Sequence, residues 1–492
     1  MNCSGQLKDN SMLKNVLYYG DNLKILRDHI PDNSVDLIYL DPPFNSKADY
    51  NILFKEPTGK PSEAQITAFE DTWHWTEETE ATFQEIVEKA SANVIEMMTA
   101  FRQFVGLNDV MAYLTMMCVR LIELRRVLKP SGSIYLHCDP TASHYLKILM
   151  DPVFGKKNFR NEIVWCYTSG GVSKRYFGKK HDTILFYSRS DQYYFQPVYR
   201  PYSEKTVKRG LTEVKGKYYK KGLRKEGALF QDWWEIQPIL SPTSKERLGY
   251  PTQKPEVLLE RIIRVSSKEG DLVLDPFCGC GTTIAVAQKL GRLWMGIDIT
   301  HLAINLIKWR LKDMFGLQSK KDYTVIGEPE DLTGARELAS QNRYQFQWWA
   351  SSLIDAKPYR DKKKGADTGI DGFVYFHDEK DKIGKGIVQV KSGKVSVKDV
   401  RDLGHVIERE KAQIGLLITL EQPTREMKKE AAGKGFYESK AFKGKFPRIQ
   451  ILTIEDLLSG KTPSTPPRIS VYKNAQRVNM VEQFNIDYDQ GE

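Results

Sequence analysis

Asp41 stands at the end of the apolar run VDLIYL, residues 35 to 40, and is followed by Pro42, Pro43 and Phe44. The run reads as a buried parallel strand that passes into a loop. The two prolines lack an amide donor and cannot continue a central strand, while their ring-fixed φ holds a rigid corner. A carboxylate on such a corner suits one particular chemistry. An exocyclic amine of adenine or cytosine carries two hydrogens, so it needs two acceptors if its lone pair is to be aimed at an electrophilic methyl. The Asp41 side chain and the Pro42 carbonyl can supply them while Phe44 stacks on the base. A base that reaches this pocket has left its duplex. The plainer alternative is a helix-capping aspartate beside a core phenylalanine.

A second set of residues sharpens the choice. LDPFCGCGTT, residues 274 to 283, puts Asp275 at a strand end, Gly279 and Gly281 in a turn, and Thr282 at the start of a helix. Glycines let backbone amides approach a ligand, and a helix N-terminus favours polar or anionic groups. Asp298 ends the next strand, about 20 residues on, where a carboxylate can accept both hydroxyls of a ribose. The combination implies an adenosine-containing cofactor. A dinucleotide fold or a purely structural turn remains open on these residues alone.

The elements that must position these groups alternate. GSIYLHCD (132–139), EIVWCY (162–167), TILFYSR (183–189), DLVLDPF and RLWMGIDI read as strands. AYLTMMCVRLIELRRVLKP (112–130, stopping at Pro130), TASHYLKILM, PEVLLERIIRVSS, CGCGTTIAVAQKL and HLAINLIKWRLKDMF read as helices. This rhythm predicts an α/β fold with a mostly parallel sheet. From 156 to 249 the pattern loosens, and residues 201 to 225 hold nine Lys or Arg against two Glu, with Tyr202, Tyr218 and Tyr219 among them. Basic groups contact phosphates and aromatics pack around an opened duplex. Lys174, Arg175, Lys179 and Lys180 extend the positive character. After about residue 325 a second α/β unit begins, with RYQFQWWASSLIDAKPY as a helix and DGFVYFH, GIVQVKSG, IGLLITLEQPT and RIQILTIEDLL supplying strands.

Composition fits this reading. The 492 residues carry 73 Lys and Arg against 63 Asp and Glu, a net charge of +10, which points to a polyanionic partner. Hydrophobic residues at 41% exclude a collagen-like or wholly disordered chain. The six cysteines form neither a zinc quartet nor a disulfide framework, so a reducing compartment is expected. The N-terminus has no apolar core ahead of its charges, and the longest apolar runs fall short of a membrane span. No membrane association and a cytoplasmic location are the expectation. SGKT at 459–462 lacks the upstream glycine of a phosphate loop.

The chain resembles the DNA amino-methyltransferases of the β group, which use S-adenosylmethionine to make N6-methyladenine or N4-methylcytosine. The resemblance covers roughly residues 15 to 315 and follows that group's order, with DPPF first and the glycine loop near the end of the domain. It implies a methyltransferase fold with an inserted target-recognition region. Asp41, Pro42, Pro43 and Phe44 carry over as the catalytic corner. YPTQKPEVLLERII (250–263) and GDNLKIL (20–26) match flanking motifs. Thr252, Lys254, Pro255 and Asp21 therefore join Asp275, Phe277, Gly279, Gly281, Thr282 and Asp298 as cofactor-pocket residues. Members with Asp before Pro-Pro mostly modify adenine, so N6 of adenine in duplex DNA is the expected target. N4 of cytosine with an inert C-terminal domain, or a non-enzymatic DNA-binding protein, is the alternative. Phe44 replaces the more frequent Tyr and keeps the stacking face. No cysteine sits in the Pro-Cys arrangement that C5 methylation requires, so Cys138 and Cys278 are poor nucleophiles. Dimers are common in the group, and a homodimer is an expectation.

In the second unit, Asp371 precedes one strand while Gln389 and Lys391 alternate on the next and share a face. GIDG, then VQVK, then KDVRDLGHVIEREKAQIGLLITLEQPT resembles the Mrr-like branch of the PD-(D/E)xK restriction-endonuclease fold. The resemblance implies a nuclease core of Asp371, Gln389 and Lys391, with Mg²⁺ on Asp371 and Gln389. The acidic residue often found on the leading helix is missing, and Gln345 and Gln347 stand in that vicinity. The expected layout is a catalytic part over 12–155, a target-recognition region over 156–249, a cofactor-binding part over 250–320, a nuclease-fold domain over 335–458 and a polar tail over 459–492. A fusion of this kind belongs to restriction–modification chemistry, with an endonuclease domain that either cuts DNA or only binds it.

Overall fold

The computed structural model describes residues 15–43, 49–55, 61–70, 74–168, 174–210, 225–239, 246, 248, 250, 252–359, 369–379, 382–439, 442 and 444–468. Nine strands form the main sheet. They are β1 (Val16–Tyr19), β2 (Val35–Leu40), β3 (Leu128–Cys138), β4 (Phe159–Cys166), β5 (His181–Ser188), β6 (Trp233–Glu235), β7 (Leu272–Asp275), β8 (Leu293–Asp298) and β9 (Thr324–Ile326). Side by side they run β6-β4-β5-β3-β2-β7-β8-β1-β9. β5 is antiparallel to β3 and β4, and the other neighbouring pairs are parallel.

The register explains why residues far apart in the chain meet. β2 lies beside β7, with Ile38 opposite Leu274. β7 lies beside β8, with Asp275 opposite Gly296, and β1 lies on the other side of β8, with Tyr19 opposite Asp298. The C-terminal ends of β1, β2, β7 and β8 thus share one edge, where open α/β sheets place ligands. Helices cover both faces. One core gathers Leu26, Met98, Met117, Leu124 and Leu146 from the helices that follow β1 and precede or follow β3, packed on Ile38, Ile134 and Leu274. The other gathers Leu258, Ile262, Ile284, Ile304 and Ile307 on Leu37, Val273 and Trp294. Each such fully buried aliphatic side chain contributes roughly 1.5–3 kcal/mol relative to exposure.

A separate five-stranded mixed sheet forms the C-terminal domain: β10 (Lys357–Pro358), β11 (Gly372–Glu379), β12 (Lys382–Lys391), β13 (Ile414–Thr419) and β14 (Ile449–Thr453), in that spatial order. The helices Arg343–Ser352 and Val397–Arg409 cover its opposite faces. Trp348 of the first packs with Leu302, Leu306 and Tyr250 of the methyltransferase-like domain.

Several boundaries depart from the sequence reading. The helix expected to stop at Pro130 ends at Val127, and the chain enters β3 directly because Leu128 pairs with Val35. A helix over Leu332–Gln341, capped by Asp331, was not read from the pattern. Residues 45 to 80 contain a hairpin, Asp49–Lys55 against Pro61–Glu70. Asp71, Trp73, Tyr218 and Tyr219 lie outside the described residues. Trp75 packs on Phe83 and under Arg102, and His74 bonds Asp109 at 3.1 Å. Among the described residues no helix is long and apolar enough to cross a membrane.

Candidate active site

A cavity of about 250 Å³ opens at the shared strand edge. Its lining includes Asp21, Asp41, Pro42, Pro43, Thr252, Lys254, Asp275, Phe277, Gly279, Thr282 and Asp298, so the two sequence constellations meet in one place. Pro255 begins the adjoining helix as the cap of Glu256–Ser266, and Gly281 caps the helix Thr282–Lys289. Phe44 lies outside the described residues.

The glycine loop is built from backbone. Gly279 has φ +48° and Gly281 φ +72°, conformations that side chains resist. A Cβ on Gly281 would stand 2.7 Å from Ile307 Cγ1, so the loop is pressed against the helix His301–Phe315. Arg310 from that helix is buried and donates to the Cys280 carbonyl at 3.3 Å, to Thr282 Oγ1 at 3.2 Å and to Glu256 at 2.7 Å. Nothing in the sequence pattern singled out this arginine, since a charged residue on an amphipathic helix reads as solvated.

Asp298 has a double engagement. One oxygen accepts the Gly279 amide at 2.9 Å, and the other accepts the Thr300 amide at 2.9 Å and the Thr300 hydroxyl at 2.8 Å. The carboxylate therefore fastens the glycine loop to the end of β8, with about one of its four lone-pair sites left for a ligand hydroxyl. Burial pushes its carboxyl up to about 6, against the hydrogen bonds that lower it. Asp275 is 3% exposed, and burial pushes it up to about 7 although Thr283 and the Phe277 amide favour its charged form. Asp21 caps the helix Asn22–His29 through the Lys24 amide and pairs with Arg120 at 2.7 Å. Arg120 also bonds Asn22, which donates to the Pro276 carbonyl at 2.8 Å and so ties β1's loop to the cofactor loop. Burial pushes the Cys278 thiol well up, which removes it as a nucleophile.

Asp41 is poised differently from the others. Its Oδ2 is in an ion pair with Lys254. Its Oδ1 is buried and has no hydrogen-bond partner among the described residues. Leaving an acceptor unmet in a dry site costs about 1–3 kcal/mol, so an unmet carboxylate oxygen on a residue that lines a cavity marks a place where a donor belongs. Behind it, fully buried His137 lies 3.7 Å from Oδ1, bonds the Tyr39 hydroxyl at 3.0 Å and faces Asp182 at 3.4 Å. Asp182 is pushed up by burial, but the hydrogen bond and charge of His137 and the charge of Lys254 outweigh that and hold it low. The strands GSIYLHCD and HDTILFYSR were legible, but their His and Asp were not recognised as backing Asp41.

This geometry fits S-adenosylmethionine. The pocket gathers four carboxylates against the cations Arg120 and Lys254, a balance that favours a cationic sulfonium, and the glycine loop presents a close backbone cradle. Thr252 contributes its carbonyl to the Lys254 ammonium at 3.3 Å.

The second site does not assemble in the same way. Asp371 directs one oxygen to the Val390 amide at 2.7 Å, between Gln389 and Lys391. Lys391 pairs with Asp399 at 3.4 Å. Gln389 is buried, and its Oε1 has no hydrogen-bond partner among the described residues. Gln345 turns away from these residues and accepts the His301 amide at 3.1 Å, at the junction with the first domain. Among the described residues no group of three or more His, Cys, Asp or Glu is gathered for a metal. One partly spent carboxylate and one amide do not fit Mg²⁺, which demands near-octahedral oxygen ligation and is usually held by carboxylates.

The profile of the family described as DNA methylase matches residues 35–308, more than half of the chain. That described as NACHT-associated inactive Restriction Endonuclease 1 matches residues 346–459. The Type II methyltransferase M.HpaI of Haemophilus parainfluenzae is 34% identical over 213 residues, covering 43% of this chain and 64% of the relative. M.BglII of Bacillus subtilis is 29% identical over 369 residues, covering 73% of this chain and 81% of the relative. The PvuII DNA methyltransferase (cytosine-N4-specific) superposes with a TM-score of 0.37 at 16% identity, over 60% of this chain and 86% of that one. The chain thus spans just under two thirds of M.HpaI and most of M.BglII. The C-terminal domain is restriction-endonuclease-like at the level of fold, and the narrower Mrr assignment is not what its profile describes.

Proposed function

The chain belongs to the DNA methylase family, and from that membership we propose that it transfers a methyl group from S-adenosylmethionine to the exocyclic N6 of adenine at a specific site in duplex DNA. The observation that carries the reading is Asp41, which lines the glycine-loop cavity and whose buried Oδ1 has no hydrogen-bond partner among the described residues. S-adenosylmethionine, when bound, supplies an electrophilic methyl on a sulfonium. Asp21, Thr252, Lys254, Pro255, Asp275, Phe277, Gly279, Gly281, Thr282 and Asp298 would hold it. Asp41 accepts one amine hydrogen and the Pro42 carbonyl accepts the other, which turns the nitrogen lone pair towards the methyl. Phe44 would supply the stacking plane. Positioning of this kind lowers the barrier without a covalent enzyme intermediate. The choice of adenine rests on the resemblance of the Asp-Pro-Pro corner to adenine-modifying members.

The C-terminal domain is proposed to contact DNA without cutting it. Its donor set does not fit Mg²⁺, which supports binding over hydrolysis. The test is methyl transfer from labelled S-adenosylmethionine to unmethylated genomic DNA, followed by nucleoside analysis. Label in N6-methyladenine is expected. Label in N4-methylcytosine would move the target to cytosine, and no label from a cofactor-bound protein would overturn the reading.

A further inference from the structure

Phe177 is 99% exposed and its neighbour Tyr176 is 69% exposed, in a loop whose sequence KRYFGKK spans 174 to 180. Large aromatics are rarely left so bare, and this pair is framed by the exposed lysines 174 and 179. The C-terminal end of this segment is tied to the sheet. Its base is closed by the Tyr167 amide on the Lys180 carbonyl at 3.0 Å and by Cys166 opposite His181. It leads straight into Asp182, which touches His137 at 3.4 Å, which in turn lies 3.7 Å from Asp41. Because β5 runs antiparallel, its beginning lies at the edge where the parallel strands end, with Thr183 opposite Cys138. Phe177 stands five positions before Asp182, a reach of at most ~18 Å.

A base that enters the Asp41 pocket leaves a gap in its duplex, and that gap is flanked by phosphates on both strands. An apolar ring carried between two lysines, on the chain that leads into Asp182 at the pocket's edge of the sheet, matches that gap in shape and charge. Resting on the methyltransferase reading, we propose that Phe177 is a wedge that enters the base stack when the target base is drawn out, with Lys174 and Lys179 on the adjacent phosphates. The ring replaces the stacking the duplex loses, so it matters only while the target base has a partner to leave.

Phe104 makes the comparison internal. It is 81% exposed at the end of the helix Ala92–Val105, where the basic residue of the last turn, Arg102, is paired with Glu80, and it carries no expectation of DNA contact. Once the modified site has been read from methylated genomic DNA, single-turnover methylation is measured on two short duplexes holding it. In one the target base is paired, and in the other it faces an abasic site. Phe177→Ala is expected to slow the paired duplex by roughly tenfold to a hundredfold, the loss of one base–aromatic stack, and to leave the unpaired one within about threefold. Phe177→Trp and Phe104→Ala are expected to keep the wild-type ratio of the two rates. Equal slowing on both duplexes, or none on either, overturns the wedge. Slowing that accompanies dissociation of a dimer in sedimentation assigns Phe177 to a second copy of the chain and also overturns it. Failure of wild type to methylate genomic DNA in the first step would instead bring down the methyltransferase reading itself.

Discussion

Gly281→Ala probes whether the cofactor loop is held by its backbone and by the helix beneath it. Two separable costs are expected. At φ +72° an L side chain suffers the left-handed clash of Cβ with its own carbonyl, about 1–2 kcal/mol. The added Cβ would also stand 2.7 Å from Ile307 Cγ1, and forcing a fully buried isoleucine aside costs about 1–3 kcal/mol. The sum is roughly 2–5 kcal/mol. Ile307→Ala alone leaves a cavity costing about 2–5 kcal/mol, but it removes the atom that the new methyl strikes. The double variant should therefore be more stable than the sum of the two single losses by about 1–3 kcal/mol, because the clash is gone and only the backbone strain and the Ile307 cavity remain. Calorimetry can follow this in the transition that S-adenosylhomocysteine raises, which identifies the cofactor-binding domain in a two-domain chain. A loss below ~1 kcal/mol for Gly281→Ala, or strict additivity with Ile307→Ala, would refute the close packing of loop on helix.

Three further outcomes follow from the same geometry. Asp275, raised to about 7, keeps a proton in the folded state that the unfolded chain has released, so stability should fall as pH rises from about 4 to about 7, by ~4 kcal/mol in all. Asp275→Asn should flatten that slope in thermal unfolding across pH, and an unchanged slope would assign it to other groups. Lys254→Met leaves the mostly buried Asp41 without its cation and should cost about 3–5 kcal/mol, most of it recovered in Lys254→Met/Asp41→Asn; additive losses in urea unfolding would show that the two do not form a pair. Mg²⁺ added to metal-free protein should leave the C-terminal domain's thermal transition in place, whereas an upward shift abolished by Asp371→Ala would contradict the misfit of that donor set.

What the sequence made legible is what repeats or turns sharply. The α/β rhythm gave the sheet, and Asp41-Pro42-Pro43 and the loop around Gly279 and Gly281 marked the strand ends that meet in the cavity. Asp298 was read as a ligand for ribose, but the fold also uses it to tether the Gly279 amide, because a buried carboxylate takes whatever donors surround it. Arg310, Arg120, His137 and Asp182 escaped the reading for a common reason. Their importance depends on partners 28 to 99 positions away, and no local period announces such a pairing. The Val127 helix end also lay beyond local reasoning, since Leu128 leaves the helix in order to pair with Val35. In the C-terminal domain the strand pattern was correct, but alternation alone placed Gln389 and Lys391 on one face without showing that Lys391 is spent on Asp399.

The most direct test of the central claim compares wild type with Asp41→Ala for methyl transfer to DNA and for S-adenosylmethionine binding by calorimetry. Asp41 contacts the cavity but its unmet oxygen points to the amine's role, so the variant should bind the cofactor and leave the DNA unlabelled, while wild type yields N6-methyladenine. Undiminished methylation by Asp41→Ala would contradict the assignment of the acceptor, and with it the way this site is proposed to work.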